Sequence, residues 1–228
     1  MFKQTNPSRP ASLAAILVAV ALALGGATLR PVRAVAEVGA GHDAPAGVTE
    51  FWVDRSDDSN HISASMCTSA APNDCSLRGA INRVNTDVVV NATIRFSSTV
   101  SQINLTSALP SLTTTGTNIK GVNGPRVSGA AMASGSMMTI DSSQAVIEGL
   151  SFINGDIRDI SVVSGSGNVI RRSTIGTPNG SVSACVSAGV TRTSLVGIFV
   201  GPAVTGNSAA PSVWIYDNDI GCHSGYGI

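Results

Sequence analysis

Short apolar runs separated by Ser, Thr, Asn, Gly and Pro follow one another from residue 88 to the C terminus. Three of these runs share apolar residues five positions apart: Ile147 and Phe152, Ile170 and Ile175, Ile215 and Ile220. The step from Ile147 to Ile170 is 23 residues, and the step from Ile170 to Ile215 is 45, close to twice that. Leu195 and Val200 have the same internal spacing and are interpreted as an intermediate copy, so the pattern predicts a repeat of about 20–25 residues.

A repeat of this length, made of strands and turns without a second helix, is typical of a parallel β-solenoid. Each strand pairs with the strands above and below at about 4.8 Å, so inward Ile and Val side chains stack into an apolar column. Further β-prone runs occur at residues 51–53, 88–90, 92–96, 103–105 and 118–122. We predict an all-β fold, a single-stranded right-handed parallel β-helix of roughly six coils over residues 88–228.

One segment has a helical pattern instead. Residues 76–84 place apolar side chains at spacings of three and four, and Asp74 or Ser76 provides an N-cap. The first coil of a solenoid exposes unpaired backbone groups and an open apolar column. We therefore predict a capping helix within an N-terminal cap over residues 51–87. The side chains expected to cover the first coil are Leu77, Ala80, Ile81 and Val84.

The other end of the chain carries no such element. The last repeat is followed only by Gly225, Tyr226, Gly227 and Ile228, without a helix, a charged run or a proline-rich stop. Because solenoids normally have caps at both ends, three explanations are open: the chain is part of a longer protein, a partner protects the last coil, or the C-terminal coils are poorly ordered. We expect the first, with coils that are incomplete at the C terminus.

The N terminus has the pattern of an export signal. Lys3 and Arg9 precede an uncharged apolar run at residues 11–27, and Ala34 to Ala36 form a small-residue cleavage pattern. An uncleaved membrane anchor is the alternative, because a run of this length is at the short end of a membrane span. We predict a signal peptide over residues 1–36 with cleavage near Ala36, a flexible leader over residues 37–50, and a secreted or cell-surface protein. The mature chain has no second apolar run long enough to span a membrane.

Cysteine usage agrees with export. Four cysteines in an exported chain predict disulfides, and four allow three pairings. Cys67 and Cys75 enclose a short turn-rich loop and form the simplest local bridge. That bridge leaves Cys185 and Cys222, 37 residues apart, as the second pair.

Composition excludes several function classes. Charged residues make up 12% of the chain, against about 25% in ordinary soluble domains. Fourteen basic residues balance fourteen acidic ones, so the chain lacks the positive field that nucleic acid binding requires. His42, His61 and His223 are scattered, and no closely spaced ligand set predicts a metal site or a cofactor.

The string CSLRGAI at residues 75–81 resembles the motif that names the CSLREA domain, with Gly79 where the family pattern has Glu. The strings ATIRFSSTVSQINLTSALPSL, IKGVNG and VIEGLSFING are also similar to that family, and together the resemblance covers residues 51–155. It implies an exported bacterial right-handed β-helix protein. The family is mostly uncharacterised, and the scaffold is shared with pectate lyases and large adhesins, so activity has to be argued from a site.

A polysaccharide lyase of the pectate type needs a calcium-binding carboxylate cluster and a basic residue that removes the proton next to the sugar carboxylate. Asp217 and Asp219, which are two positions apart and expected on one strand face, are the nearest candidates, with Arg171 and Arg172 from the aligned earlier coil. The alignment places Arg172 opposite Asp217, which equally describes a surface ion pair.

Two further groups of residues were considered. Trp214 and Tyr216 share a strand face and are the best candidates for stacking on sugars, although they would also serve to fill a wider coil. Asp156 and Asp159 form an acidic pair in the turn expected after Gly155, with Arg158 as a local charge partner.

We expect a secreted or cell-surface scaffold that binds a polysaccharide, a cell-surface glycan or another partner and has no identifiable catalytic site. The alternative is a polysaccharide lyase acting on uronate polymers, which alone would require Ca²⁺. The oligomeric state is not predicted.

Overall fold

The computed structural model describes residues 49–60, 67, 73–121, 124–176, 194–201 and 213–228. The predicted signal peptide and nearly all of the predicted leader lie outside these residues. The described chain is mostly β, with one helix and parallel strand pairing in three sheets. In chain order, its elements are β1 (Glu50–Val53), α1 (Leu77–Asp87), β2 (Thr93–Phe96), β3 (Gln102–Asn104), β4 (Asn118–Lys120), β5 (Arg126–Ser128), β6 (Ser136–Asp141), β7 (Val146–Glu148), β8 (Ser151–Ile153), β9 (Arg158–Ser164), β10 (Asn168–Arg171), β11 (Thr174–Ile175), β12 (Val196–Val200), β13 (Val213–Tyr216) and β14 (Asp219–Ile220).

The chain visits the sheets in a regular order. The first sheet has the strand order β1-β2-β4-β7-β10-β13, the second β14-β11-β8-β5-β3 and the third β12-β9-β6. From β4 to β12, each passage of the chain places one strand in the first sheet, one in the second and one in the third. We call such a passage a three-strand repeat. Each strand pairs in parallel with its counterpart from the preceding repeat, so equivalent side chains lie above one another.

The apolar column of the first sheet confirms the register predicted from the five-residue spacing. Ile147 pairs with Ile170, and Ile170 pairs with Ile215. The second sheet shows the same agreement, because Phe152 pairs with Ile175 and Ile175 with Ile220. The inward column of the first sheet consists of Phe51, Ile94, Ile119, Ile147, Ile170 and Ile215.

The predicted intermediate copy at Leu195 and Val200 is wrong. The strand that contains Val200, β12, belongs to the third sheet and pairs with β9, and Leu195 lies outside it with half of its surface exposed. Because β10 pairs directly with β13, the 45 residues from Ile170 to Ile215 form one repeat and not two. The five-residue spacing between Leu195 and Val200 therefore does not correspond to aligned inward positions in the first and second sheets.

The turn between the first and second sheets reverses the chain through left-handed backbone. Gly149 has φ 71°, and Arg172 and Asp217 have φ 50° and 55° at the equivalent position of later repeats. Glycine is suited to the first of these turns, because a Cβ on Gly149 would lie 2.6 Å from the Gly121 carbonyl oxygen. The turn also corrects the prediction for Asp217 and Asp219. The first lies in the turn and the second in β14 of the second sheet, so they do not share a strand face.

The helix predicted over residues 76–84 is confirmed as α1. Ser76 is its N-cap and accepts a hydrogen bond from the Gly79 backbone N–H at 3.0 Å. All four apolar residues predicted to face the first coil (Leu77, Ala80, Ile81, Val84) are fully buried in the main core, and α1 contacts the edge strand β1. The predicted β-run at residues 88–90 is wrong, because Val88 ends the helix in left-handed conformation and lies exposed in a turn.

Cys67 and Cys75 form the predicted local disulfide, with a Cα–Cα distance of 4.4 Å. Both cysteines are buried, and their carbonyl oxygens accept hydrogen bonds from the backbone of β1 and of the residues that follow it. The disulfide therefore holds the start of α1 against β1. Cys222 is also disulfide-bonded, and Cys185, its predicted partner, lies outside the described residues.

Replacing Cys67 and Cys75 by serine is expected to lower the free energy of unfolding by about 2–3 kcal/mol, because the unfolded chain loses an eight-residue loop closure. Urea denaturation followed by circular dichroism measures the loss. Reducing conditions should not lower the stability of the serine variant through this bond, because the variant lacks it. A loss below about 0.5 kcal/mol in the double variant would contradict the expected contribution.

Candidate functional site

The outer face of the first sheet carries most of the residues nominated from sequence. Strand alternation turns the neighbours of the inward isoleucines outward. Because the strands are in register, these outward residues form two columns that run across all six strands. One column consists of Trp52, Arg95, Lys120, Glu148, Arg171 and Tyr216, and the other of Glu50, Thr93, Asn118, Val146, Val169 and Trp214. We call this surface the outer face of the first sheet.

A charged network lies near the C-terminal end of this face. Glu148 accepts a hydrogen bond from Arg171 Nη2 at 2.9 Å through Oε2 and another from Arg172 Nη1 at 2.9 Å through Oε1. Arg171 Nη1 also donates to the Tyr216 hydroxyl at 3.0 Å. Both nominated arginines and one nominated aromatic residue therefore belong to one network, in which two guanidinium groups and one carboxylate leave an excess of one positive charge.

Sequence reasoning missed Glu148, the residue that joins the network. Its position had a detectable signal, because the register that aligns Ile147 with Ile170 also aligns Glu148 with Arg171. An outward carboxylate directly opposite an outward guanidinium is an expected cross-strand pair. The sequence-based pairing used the repeat alignment only for Arg172 and Asp217, whereas the structure shows an ion pair between Arg172 and Glu148.

The network keeps its charges in place. Burial raises the pKa of Glu148, but hydrogen bonds and charge from Arg171 and Arg172 outweigh burial and hold this pKa below its ordinary value. The hydrogen bond to Tyr216, followed by that to Glu148, raises the pKa of Arg171 above its ordinary value. A guanidinium stabilised in this way is poorly suited to act as a general base, since it must first lose its proton.

Trp214 and Tyr216 are exposed at the end of the outer face. They are 50% and 40% exposed, and Ile215 between them turns inward to the core. The alternative interpretation, in which both residues fill a wider coil, disagrees with this exposure. The two rings instead form an open aromatic surface next to the guanidinium of Arg171.

A second polar feature is a groove of about 490 Å³ near the disulfide. Within it, Arg55 makes a two-point ion pair with Asp57, at 2.8 Å from Nε and 2.6 Å from Nη2. The hydrogen bond from Arg55 lowers the pKa of Asp57 to about 2. Asp54 adds a second carboxylate, which accepts hydrogen bonds from the backbone N–H groups of Asp74 and Cys75, so the lining has an excess of one negative charge. Its lining residues are Asp54, Arg55, Ser56, Asp57, Asn73, Thr99 and Val100.

Three polar residues that sequence reasoning did not connect meet beside the third sheet. Asp159 lies within β9 and not in a turn after Gly155, as predicted, and its side chain is buried. Ser194 and His223 cover it, with the Ser194 hydroxyl 3.0 Å from Asp159 Oδ2 and 2.8 Å from His223 Nδ1. No local pattern predicts this cluster, because its members are 35 and 29 residues apart along the chain.

The described residues bring together no group of three His, Cys, Asp or Glu side chains that could hold a metal ion. Within the same ranges, no helix is long and apolar enough to cross a bilayer. No protein-family model matches the chain, and comparisons with curated proteins and with solved structures found no match.

Proposed function

We propose that this chain is an exported right-handed parallel β-helix whose outer face of the first sheet binds glycans. Three parallel sheets visited in turn, with equivalent side chains in register, support the β-helix. The buried helix stripe against β1 supports α1 as the cap of its N-terminal end. The resemblance of residues 51–155 to CSLREA-domain proteins is consistent with the same architecture.

Export is supported by the disulfide as well as by the predicted signal peptide. A buried disulfide that closes a short loop forms and persists in oxidising compartments, where secreted and surface proteins fold. The low content of charged residues also agrees with the compositions of exported β-rich scaffolds. We therefore place the mature protein outside the cytoplasm, secreted or attached to the cell surface.

The observation that carries the glycan proposal is the exposed pair Trp214 and Tyr216. Sugar rings present apolar C–H faces that stack on aromatic side chains, while their hydroxyls need directional polar partners. Arg171 fixes the Tyr216 hydroxyl by a hydrogen bond, so this ring is held in place before a ligand arrives. The exposed guanidinium of Arg172, with 65% of its side chain accessible, provides donors for hydroxyl or carboxylate oxygens.

The lyase alternative has no observation in its favour among the described residues. Its proposed carboxylates, Asp217 and Asp219, lie on different elements. Both arginines are ion-paired with Glu148, and the environment of Arg171 strengthens its protonation. Binding without turnover is therefore the function that we propose for this face.

We expect the mature protein to bind a subset of immobilised glycans and the Trp214→Ala variant to bind the same ligands at least about tenfold more weakly, because the stacking surface is lost. Isothermal titration calorimetry with soluble ligands identified on the array gives the dissociation constants of the parent protein and of the Trp214→Ala variant.

The matched control is Tyr226→Ala, which removes an aromatic ring that is 74% exposed but lies off the outer face. Its affinity should equal that of the parent protein. Absence of binding to every glycan tested, or equal affinities of the parent and the Trp214→Ala variant, would reject the proposed glycan site. Release of unsaturated uronate products during the assay would favour the lyase alternative over binding without turnover.

A further inference from the structure

The buried cluster of Asp159, Ser194 and His223 joins three parts of the chain. Asp159 comes from β9, Ser194 precedes β12, and His223 belongs to the C-terminal segment, residues 221–228. The side chains of Asp159 and His223 are 1% and 3% exposed, and Ser194 is 2% exposed. His223 Nε2 lies 3.2 Å from the Ile175 carbonyl oxygen. The imidazole therefore spans the distance between the cluster and β11.

These contacts determine how many protons the cluster can hold. The Ile175 carbonyl only accepts, so His223 Nε2 must carry a hydrogen. The Ser194 hydroxyl donates to Asp159 Oδ2, so His223 Nδ1 donates to the Ser194 oxygen, with one titratable proton on the imidazole. Moving that proton to the carboxyl group reverses both hydrogen bonds, so either arrangement completes the chain from Asp159 to Ile175 with one titratable proton.

Loss or gain of a proton disrupts this chain. Without the proton, Ser194 can donate to the carboxylate or to the imidazole but not to both, and a net negative charge is buried. With a second proton, on Nδ1, two donors point at the Ser194 oxygen and a net positive charge is buried. Both changes leave a buried polar group without a partner, which is costly.

Among the residues that the structure describes, other charges near the cluster do not take part in its hydrogen bonds. On β9, Arg158 is stacked over the Phe199 ring at 3.8 Å. Asp156 precedes β9 and makes an interaction of its own. The C-terminal segment contributes Cys222, which is disulfide-bonded and does not titrate. On β11 and at Ser194, the groups that face the cluster are uncharged.

The cluster lies beneath a set of backbone contacts that dock the C-terminal segment on β12. Gly197 N–H and Ile198 N–H donate to the carbonyl oxygens of Tyr226 and Gly227. In the other direction, the backbone N–H groups of Gly225 and Tyr226 donate to the Leu195 carbonyl oxygen. The docked segment therefore covers the outer edge of the third sheet.

We propose that Asp159, Ser194 and His223 form a one-proton latch that docks residues 223–228 on β12 in mildly acidic solution and releases them as the solution becomes alkaline. Cys222 remains bonded throughout, so release exposes the edge of β12 while the segment stays tethered. This regulatory device is independent of the proposed glycan site.

Proton counting gives the expected pH profile. Burial raises the pKa of Asp159 from its ordinary 3.8 to about 8, and burial lowers the pKa of His223 from its ordinary 6.5. In the docked state, Asp159 and His223 together keep one titratable proton. In the released state, where both groups have ordinary pKa values, they hold two protons below pH 3.8, one between pH 3.8 and 6.5, and none above pH 6.5. The stabilisation from the raised Asp159 pKa is lost as pH rises, and that from the lowered His223 pKa is lost as pH falls below 6.5. Below pH 6.5 the two effects cancel over the range in which docked His223 gains no further proton, so docking weakens about tenfold per pH unit from 6.5 to about 8.

Hydrogen exchange of the full mature chain, detected by mass spectrometry and corrected for intrinsic exchange rates, measures docking. The reporters are the amides of Gly197, Ile198, Gly225 and Tyr226, with Ile170 in β10 as the reference for global opening. Protection of the reporters should level off in the interval below pH 6.5 and should fall roughly 30-fold in the interval from 6.5 to about 8. A constant level across the second interval would overturn the latch.

Two variants test the assignment of the proton. Asp159→Asn keeps a donor to Ser194 without titration, so its protection should be constant above pH 6.5 and should fall below it, as free His223 gains a proton. His223→Gln should remove the acidic plateau, with protection falling continuously from about pH 5 to 8. Asp141→Asn, an exposed carboxylate on β6, is the matched control and should reproduce the parent profile. An alkaline fall that persists in Asp159→Asn, or a plateau that persists in His223→Gln, would reject the proposal.

Discussion

Replacing Phe152 by alanine is expected to lower the free energy of unfolding by about 3–5 kcal/mol, the range typical of a fully buried aromatic side chain. Phe152 in β8 is completely buried, and it lies between Val127 and Ile175 in the inward column of the second sheet. Deleting the ring removes apolar contacts with both neighbouring strands, and the stacked column cannot close the cavity without shifting paired backbone. Urea denaturation monitored by circular dichroism measures the difference.

An exposed apolar residue provides the comparison for Phe152. Val90 is 55% exposed in the turn after α1, and Val90→Ala should change the stability by less than about 0.5 kcal/mol. A loss of less than about 1 kcal/mol in Phe152→Ala would show that this column is not tightly packed. A fall in the urea slope together with the midpoint would indicate that the repeats no longer unfold as one unit.

We also expect Asp58→Ala to lower the free energy of unfolding by about 3–5 kcal/mol, because it leaves a largely buried arginine without its counter-ion. Arg78 on α1 donates to both carboxylate oxygens of Asp58, at 2.8 and 2.9 Å, and only 12% and 3% of the two side chains are exposed. The backbone N–H and the hydroxyl of Thr106 also donate to Asp58. One carboxylate therefore holds α1 and the segment after β3 together.

Thermal denaturation of Asp58→Ala and of Asp87→Ala separates this buried pair from an ordinary surface pair. Asp87 pairs with Arg83 one helical turn away, at 2.7 Å, and 35% of its side chain is exposed. Its removal should cost less than about 0.5 kcal/mol. Equal effects of the two substitutions would contradict the importance assigned to the Asp58–Arg78 pair, whereas partial rescue by Asp58→Asn would support the role of its hydrogen bonds to Thr106.

The candidate site was partly predictable from sequence. Trp214, Tyr216, Arg171 and Arg172 were nominated from their strand positions, and the structure places all four on or beside the outer face of the first sheet. Glu148 was not nominated, although the 23-residue repeat places it opposite Arg171. Asp217 and Asp219 were predicted on one strand face because the residue with left-handed backbone after β13 is Asp217 and not a glycine, so no local pattern indicates the turn.

The buried polar groups could not be predicted in the same way. Asp58 lies in a polar stretch that resembles an ordinary surface loop, and its burial depends on Arg78, twenty residues away. Asp159 alternates with Ile160 as an outward strand residue should, and only the arrival of Ser194 and His223 from later segments buries it. The alternation of residues along a strand shows which side chains point outward, but it does not show which distant segment covers that outward face.

The sequence by itself determined the features that depend on short spacings: the register of the apolar columns, the helix with its Ser76 cap, and the bridge between Cys67 and Cys75. Periodicity, capping and loop closure act within one repeat, so they are visible in a few consecutive residues. Only the tertiary structure decided that β10 pairs directly with β13, that β12 joins the third sheet, and that Ser194 makes hydrogen bonds with both Asp159 and His223. Those outcomes depend on which strands and segments find each other across 29 to 45 residues, where packing and hydrogen bonding, and not local spacing, select the partner.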